Sequence, residues 1–394
     1  MEKTNIPACM SRLKEYKTVF LLWMATGALY GIIKFLIGKY NNYKIYEGVF
    51  GHAVGGSSLY ASYPEYYDSN HYGILFSLVI APFSMLPHWA GIVLWIMGNT
   101  ALLYYAIRQL PLTRRQKIFV YWFAYCELMT AQGVQQFNIS ICAIILLTFV
   151  LIEKKRDFWA ACILVAGTFI KLYPVVGFAF FFFSRRKMTL IFSSLFWAVL
   201  FFFLPVLYTP GVDYMVSQYV EWFHSLMLKN GENMFAVSQN ISLLGLVRKV
   251  SGSAAYSDLW LIVPGLILFC LSYLRVSQYR YLRFRLMMLA HVLLFVVLFS
   301  TGSEASGYVL VMTGVALWYL STPSTHRRYN RWLLVVTLVV VSISTTELVP
   351  PFIRKYVIIP YVLKVWPCIL VWFTVCYDMC FRDFGARLRN KPKL

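Results

Sequence analysis

The stretch that decides the fold runs from residue 139 to residue 187 and reads ISICAIILLTFVLIEKKRDFWAACILVAGTFIKLYPVVGFAFFFFSRRK. Three apolar runs are separated by two breaks, a basic cluster at residues 154–156 and the sequence KLYP at residues 171–174. A soluble domain needs polar residues on its surface, and apolar runs of this length do not supply them. Their alternation with short charged breaks is typical of a chain that crosses a membrane several times.

The composition of the whole 394-residue chain extends this conclusion. Hydrophobic residues make up 60% of the sequence, aromatic residues 18% and charged residues only 13%. A globule with so few charges cannot cover its surface with polar groups, so most of the chain must face lipid. We therefore predict an all-α polytopic membrane protein and exclude an ordinary soluble one.

The basic residues indicate the orientation of the chain in the membrane, because cytoplasmic loops collect Lys and Arg. With twelve spans, 26 of the 36 basic residues fall inside and eight fall outside, while Lys34 and Lys364 lie within spans. Both termini are then cytoplasmic. The formal net charge of +20 follows from this topology, so we expect no nucleic-acid partner. The predicted spans are residues 18–38, 89–107, 118–131, 139–152, 158–170, 174–184, 188–207, 259–274, 286–300, 306–320, 333–349 and 361–379.

The domain organisation predicted from this map is a single integral membrane domain over residues 1–394. Two long segments, residues 39–88 and residues 208–258, lie on the outer face, and residues 380–394 form a basic cytoplasmic tail. Residues 72–86 are apolar but too short to cross, so we predict a re-entrant or juxtamembrane helix in the first outer segment. The first span follows a basic tail without a cleavage site and is expected to be a retained anchor.

Residues 158–170 and residues 174–184 are each too short to cross a hydrocarbon core of roughly 30 Å as straight α-helices. We interpret them as a broken hairpin with Lys171 at its outward tip. Such a break is tolerated only where protein or water satisfies the freed backbone groups, so it marks a candidate site. The alternative is one long tilted span, which would disturb the charge pattern.

The cysteines and the missing nucleotide motifs limit the chemistry. None of the eight cysteines lies in the two outer segments, and Cys376 and Cys380 lack further ligands at zinc-site spacing, so packing is the simpler interpretation. The sequence has no DxD triplet, no Walker motif and no GxGxxG. We therefore expect no metal and no cofactor, and neither a sugar-nucleotide donor nor ATP.

Acidic and aromatic residues gather in the outer segments. The first outer segment contains YNNY at residues 40–43, YASYPEYYD at residues 60–68 and HYG at residues 71–73. Aromatic rings can stack on sugars while carboxylates accept hydroxyl protons, although the same pattern also fits an interfacial aromatic belt. Glu304 lies in a tight connection between two apolar runs, where a charge is costly unless it faces a polar cavity.

The order of these features resembles glycosyltransferase family 87, a group of GT-C membrane enzymes similar to mannosyltransferases that depend on polyprenol-phosphate mannose. The resemblance covers nearly the whole chain. It rests on the tyrosine-rich first outer loop that ends in Tyr72-Gly73, Gln136-Phe137-Asn138, Gly167 followed by KLYP, SQNIS at residues 238–242 before Arg248, and the connection at Glu304.

This resemblance implies a hexosyltransferase of the cell envelope. The enzyme would transfer a hexose, with mannose as the first expectation, from a polyprenyl-phosphate-linked donor to an acceptor glycan or lipid at the outer face, with inversion. The family usually has an aspartate early in the first outer loop, where this chain has Asn41-Asn42. The predicted general base is therefore Asp68, followed by Glu65 and then Glu47.

For the donor phosphate, the candidates are Lys171 first, then Arg248 and His71. Lys171 could instead extend to the outer lipid head groups. The amide, aromatic and acidic groups at the outer ends of spans are candidates for binding sugar or acceptor, although the amides equally suit helix caps. These candidates are Asn42, Tyr72, Gln136, Asn138, Gln239, Asn240 and Glu304.

Two other functions remain open at this stage, a polysaccharide polymerase and a lipid-linked sugar flippase or transporter. Transporters usually bury paired charges at the membrane midplane and show repeated halves, and we find neither pattern here. A polymerase would also act on polyprenyl-linked sugars, but it would use an oligosaccharide diphosphate.

Overall fold

The computed structural model describes residues 15–385 apart from residues 235, 237, 238, 254, 323–326 and 345–348. Within these ranges every regular element is a helix and no strand occurs, which confirms the predicted all-α class. Three predicted features lie partly outside the described residues: Ser238 of the SQNIS motif, the end of the span at residues 333–349, and most of the basic tail at residues 380–394.

The chain forms two compact units. The N-terminal unit comprises Met1–Val175 and Met188–His224, and the C-terminal unit comprises Val176–Lys187 and Ser225–Leu394. The α-helices are, in chain order, α1 (Tyr16–Leu36), α2 (Asn41–Gly55), α3 (Phe76–Ser84), α4 (His88–Gln109), α5 (Arg114–Gly133), α6 (Asn138–Glu153), α7 (Asp157–Ile170), α8 (Lys187–Phe203), α9 (Val212–Asn233), α10 (Leu243–Ser251), α11 (Leu259–Leu271), α12 (Leu282–Leu298), α13 (Tyr308–Ser321), α14 (Arg327–Ile343), α15 (Pro351–Ile353) and α16 (Val365–Phe381).

Three of the described helices are long and apolar enough to cross a membrane: Tyr16–Leu36, His88–Gln109 and the helical stretch Lys187–Leu207. Six more apolar helices of 10–17 residues are shorter than the roughly 20 residues that a straight crossing needs. The apolar helices are typical of a membrane protein. The number of twelve crossings and their orientation remain predictions.

The core of the N-terminal unit is built by α1 against α4 and α5, α4 against α6, and α6 against α7. Close approach of α1 to α4 depends on a glycine. A Cβ atom on Gly31 would lie 2.8 Å from a methyl group of Val93 and 2.9 Å from its Cα. Small residues at such crossings let two apolar helices pack backbone to backbone, so a larger residue at position 31 would force them apart.

The predicted break after residue 170 is present. Helix α7 ends at Ile170, Lys171 has an extended backbone with φ −150° and ψ 134°, and a 3₁₀-helix follows over Tyr173–Phe183. At 1.5 Å per residue, the 14 residues of α7 extend about 21 Å, which is less than the hydrocarbon thickness. The sequence KLYP therefore interrupts the helix, and Lys171 lies at this interruption.

The 3₁₀-helix is long for its type, with 11 residues where three or four are usual. Its burial follows a period of three, since Pro174, Gly177 and Phe180 are buried whereas Val175 and Phe178 are exposed. A 3₁₀-helix has three residues per turn, so residues three apart lie on one edge. The segment therefore buries a single straight edge and exposes another.

Both predicted outer segments contain helices. The first contains α2, which starts at the YNNY motif, and α3, whose nine residues include Pro82 and lie within the apolar stretch 72–86 predicted to form a re-entrant or juxtamembrane helix. At about 1.5 Å per residue α3 is too short to span a membrane. The second outer segment contains α9 and α10.

The core of the C-terminal unit is formed by α12 against α13 and α16, with α14 packed on α16. Most residues of α12 are buried all round, as expected for a helix surrounded by others. His291 of this helix is fully buried, with its Nε2 atom 3.5 Å from the Sγ atom of Cys376. Cys376 therefore packs inside the unit, in line with its predicted packing role.

Candidate active site

The amides of Asn41 and Asn42 hold backbone groups in the N-terminal unit. The Asn41 side chain accepts a hydrogen bond from the Tyr67 N–H at 3.0 Å and donates one to the Tyr67 carbonyl at 2.5 Å. The Asn42 amide donates to the carbonyl of Val134 at 2.8 Å. Asn41 therefore fixes the loop before α3, and Asn42 fixes the end of α5.

Asp68 follows directly on the segment that Asn41 holds. Its backbone has φ 74°, in the left-handed region that Asn and Asp tolerate better than most residues, and the Ser69 N–H donates to its Oδ1 atom at 2.9 Å. The same oxygen lies 3.5 Å from Nε2 of His71, and 42% of the Asp68 side chain is exposed. The carboxylate is thus accessible to a ligand and is adjacent to an imidazole.

The residues after Asp68 are tied to several elements. The His71 carbonyl accepts a hydrogen bond from the indole of Trp222 at 2.9 Å, and the Tyr72 carbonyl accepts one from the Tyr60 hydroxyl at 2.9 Å. Asn70 braces Tyr72 through bonds to its N–H and its carbonyl, at 3.1 Å and 3.0 Å. The loop therefore has a defined conformation, which a site built on it requires.

Gly73 joins this loop to the end of α7. Its N–H donates to the carbonyl of Ile170 at 2.9 Å, and a Cβ atom at this position would lie 2.1 Å from the carbonyl oxygen of Phe169. No side chain fits at that distance. Glycine at position 73 is what brings Tyr72 next to Lys171.

Lys171 lies in a cluster of polar and aromatic groups. Its ammonium donates to Oδ1 of Asn138 at 3.0 Å and lies 5.2 Å from the ring centre of Tyr72 and 5.0 Å from that of Tyr173. Aromatic faces and amide oxygens orient an ammonium group. We refer to Lys171, Asn138, Tyr72, Gln136 and Tyr46 as the Lys171 cluster.

Gln136 is the second anchor of the Lys171 cluster. Its Oε1 atom accepts hydrogen bonds from the hydroxyls of Tyr72, at 3.0 Å, and Tyr46, at 3.2 Å. Tyr72 is buried and stacks on Phe76 of α3, with ring centres 4.6 Å apart. The structure thus brings together the predicted residues Tyr72, Gln136, Asn138 and Lys171, with His71 and Asp68 on the same short loop.

The other two predicted carboxylates have different surroundings. Glu65 is exposed and lines a cleft of about 270 Å³ together with Asn41, Lys44 and Tyr67. Glu47 lies on α2, and its Oε2 atom is 2.7 Å from Nδ1 of His88. Burial raises the pKa of Glu47, while His88 and Lys44 oppose that rise. Glu47 is therefore half of a local ion pair.

Arg248, a predicted phosphate ligand, belongs to the C-terminal unit and is only 2% exposed. Its Nε and Nη2 atoms donate to Oδ1 of Asp258 at 3.1 Å and 2.9 Å, and Nη2 also donates to the carbonyl of Tyr256 at 3.1 Å. Its guanidinium lies 4.5 Å from the ring centre of Tyr256. Arg248 and Asp258 form one wall of a cavity of about 530 Å³ that Thr301 also lines.

The remaining predicted sugar-binding residues also lie in the C-terminal unit. The carbonyl of Gln239 accepts a hydrogen bond from the Lys249 ammonium at 3.0 Å. Asn240 is fully buried with φ 53°, and its Oδ1 atom accepts a bond from Ser242, the N-cap of α10, at 2.6 Å. Glu304 is half-buried and precedes the short 3₁₀-helix Ala305–Gly307. These contacts give Asn240 a local structural role.

Several residues that shape the site were not predicted from the sequence. Tyr46 binds Gln136, Asn70 braces Tyr72, and Trp222 binds the carbonyl of His71 from 151 positions away along the chain. Glu221, one turn before the end of the N-terminal unit, accepts hydrogen bonds from Ser58 and Gln218. None of them belongs to a motif. The only feature of the sequence that pointed to these residues was their position in the aromatic and polar outer segments.

The family comparison agrees with the fold and the chemistry of these groups. Residues 70–301, more than half of the chain, match the model of glycosyltransferase family 87. The chain therefore belongs to glycosyltransferase family 87 and is a glycosyltransferase. A search of the curated proteins found no match. The matched range includes His71, Tyr72, Lys171 and Arg248, and it starts two residues after Asp68.

Proposed function

We propose that this glycosyltransferase moves a hexose, with mannose as the first candidate, from a polyprenyl-phosphate donor to an acceptor glycan or lipid. The transfer would take place at the outer face of the cytoplasmic membrane with inversion at the anomeric carbon. Apolar helices support a lipid-linked donor, since its chain must remain in the membrane while its phosphate meets polar groups. The donor and the acceptor are the enzyme's partners, and no cofactor enters the reaction.

The observation that carries this proposal is the position of Lys171. Its ammonium lies at a break between two apolar helices, against Asn138 and the rings of Tyr72 and Tyr173. A compact ammonium group suits a phosphate that must be released after each turnover. In the transition state its role would be to stabilise the negative charge that develops on the departing phosphate.

Asp68 is the proposed general base. It is the carboxylate nearest in sequence to Tyr72, it is accessible, and its contact with His71 orients it. The carboxylate would take the proton of the acceptor hydroxyl as that oxygen bonds to the anomeric carbon. At the same time the bond from the anomeric carbon to the phosphate oxygen breaks, and the polyprenyl phosphate leaves with the electron pair. Glu65, in its exposed cleft, is the second candidate.

Sugar hydroxyls would be bound by the aromatic and amide groups around Lys171. Tyr72, Gln136 and Asn138 present hydroxyl and amide groups in one place, and stacked aromatic rings favour the apolar face of a hexose. Asn42, Gln239, Asn240 and Glu304 remain weaker candidates. The Asn42 amide already donates to the carbonyl of Val134, the Gln239 carbonyl accepts from Lys249, and the Asn240 side chain accepts from Ser242.

The proposal is tested by transfer in proteoliposomes that contain the purified protein, a polyprenyl monophosphate hexose and candidate acceptors. Asp68→Asn is expected to slow transfer by at least about 100-fold, the usual contribution of a general base. Asp213→Asn, which changes an exposed carboxylate in the first turn of α9, is the matched control. Wild-type rates in both Asp68→Asn and Glu65→Gln would exclude these carboxylates. Transfer only from an oligosaccharide diphosphate would identify a polymerase instead.

The outer location has its own test. In a variant without native cysteines, Ser62→Cys and Ser69→Cys should react with a membrane-impermeant maleimide in intact cells. Reaction only after permeabilisation would place the first outer segment in the cytoplasm and would contradict the proposed site of transfer.

A further inference from the structure

A tryptophan of α9 packs on the loop between α2 and α3, which we call the Asp68 loop. Trp222 is 8% exposed, and its indole N–H donates to the His71 carbonyl at 2.9 Å. The same ring packs on Gly73, since a Cβ atom at that position would lie 3.0 Å from its Cζ3 and Cη2 atoms. The indole therefore contacts the backbone on both sides of Tyr72.

Helix α9 also holds the beginning of the Asp68 loop. The Gln218 side chain accepts a hydrogen bond from the Leu59 N–H at 2.8 Å, and the Glu221 carboxylate accepts one from the Ser58 hydroxyl. The Gln218 amide donates to Oε1 of Glu221 at 3.0 Å, so the two side chains orient each other. Gln218 is buried. These bonds fix α9 on the first residues of the loop.

The two ends of the Asp68 loop thus meet the same part of α9. Leu59 is bound by Gln218, and His71 is bound by Trp222, which follows about one turn later on the helix. The rise of an α-helix is about 1.5 Å per residue, so the two anchors lie within about 6 Å along its axis. Compact loops whose ends lie close together often carry functional residues, and this loop carries the proposed general base.

Asp68 lies between two anchors of the backbone. Asn41 holds Tyr67, the residue before it, and Trp222 holds the carbonyl of His71, three residues after it. The φ angle of Asp68 is 74°, in the left-handed region, and such a conformation persists only where surrounding contacts fix it. Without the anchor at Trp222, the backbone at Asp68 would be free to relax to a negative φ, and its carboxylate would change direction.

We propose that Trp222 is a positioning residue for the transfer. Through the His71 carbonyl it holds Asp68 in the conformation in which the carboxylate takes the proton of the acceptor hydroxyl. The inference rests on the proposed function, which makes Asp68 the general base, and it requires no contact between Trp222 and either substrate. A hydrogen bond between neutral groups contributes modestly to stability, so its loss lowers the fraction of correctly placed loops and leaves the protein folded.

Trp222→Phe removes the indole N–H and keeps an aromatic ring, so it tests the hydrogen bond to His71. In proteoliposomes kcat should fall by about five- to tenfold, while KM for the lipid donor stays within about twofold of wild type. The melting temperature should change by no more than about 3 °C. Trp89→Phe, the same exchange at an indole that is 59% exposed on α4, is the matched control and should retain the wild-type rate.

A double variant separates positioning from a merely structural role. Trp222→Phe combined with Asp68→Asn should transfer no more slowly than Asp68→Asn alone, because misplacing the loop has no further effect once the base is absent. If Trp222 only stabilised the fold, the double variant would be slower than Asp68→Asn by the full factor that Trp222→Phe shows alone. Such additive losses, or a wild-type kcat in Trp222→Phe, would overturn the inference.

The position of the loop can also be measured without transfer. A nitroxide spin label on Ser69→Cys, in a variant without native cysteines, should become more mobile in Trp222→Phe and should not change in Trp89→Phe. Unchanged mobility in Trp222→Phe, with slow transfer in Asp68→Asn, would refute this inference alone. Increased mobility in Trp222→Phe, with wild-type transfer in Asp68→Asn, would refute the proposed base and leave Trp222 as the residue that holds the loop.

Discussion

Lys171 and Arg248 are both cations next to aromatic rings, yet their surroundings differ in kind. Lys171 is half-buried and lies against an amide oxygen and two ring faces, whereas Arg248 is 2% exposed and donates to a carboxylate and a carbonyl. A carboxylate partner compensates the charge of Arg248 inside its unit. From this difference we expect Lys171 to contact the ligand, as proposed above, and Arg248 to stabilise the C-terminal unit.

The largest expected effect is on stability at Arg248. Arg248→Met should lower the free energy of unfolding by about 3–5 kcal/mol, because it leaves the Asp258 carboxylate without its buried partner. Chemical denaturation of the purified protein measures this change. The double variant Arg248→Met with Asp258→Leu should recover most of the loss. A fully stable Arg248→Met protein with slow transfer would instead place Arg248 in the phosphate site and remove the contrast with Lys171.

The next largest effect is on transfer at Lys171. Lys171→Ala should reduce the rate by about 100- to 1,000-fold, comparable to removal of one preorganised charge-stabilising donor. Stability should change little, and Lys171→Arg should restore part of the rate because it keeps the charge. The exposed Lys39→Ala is the control. Parallel losses of transfer and of thermal stability in Lys171→Ala would show that the residue is structural.

The docking of the Asp68 loop on α7 can be tested through its glycine. Gly73→Ala should cost about 1–3 kcal/mol of stability and should also slow transfer, because the new Cβ atom collides with the carbonyl of Phe169. Gly51→Ala is the matched control, since Gly51 lies in α2 with no neighbouring atom within 4 Å of the added carbon. It should be neutral or stabilising by about 0.5–1 kcal/mol. Transfer at the wild-type rate in Gly73→Ala would contradict the role of this contact.

The smallest expected effect concerns pH. His52 stacks on Tyr63, with ring centres 3.8 Å apart, and burial lowers the pKa of His52. In the unfolded chain the imidazole therefore binds a proton at a higher pH than in the folded protein. Stability should fall as the pH decreases below about 6.5, the ordinary pKa of histidine. His52→Phe should reduce this dependence in thermal melts between pH 7.5 and 5. An unchanged slope would exclude His52 as its source.

The helical class and the break after Ile170 could be predicted from the sequence, because apolar runs and the KLYP interruption are local features. The grouping of Lys171 with Tyr72 could not, since it depends on contact between Gly73 and Ile170, nearly a hundred residues apart. The sequence also did not predict that Arg248 forms a buried ion pair. Its partner Asp258 lies ten positions further on, beyond the reach of one helical turn.

The 3₁₀-helix over Tyr173–Phe183 leaves this segment little tolerance for insertions or deletions. One added residue would rotate the rest of this helix by about 120°, so the buried row of Pro174, Gly177 and Phe180 would lose its alignment after the insertion. Three added residues would restore the alignment but lengthen the segment by about 6 Å. Insertions and deletions in this segment should therefore be tolerated best in multiples of three residues.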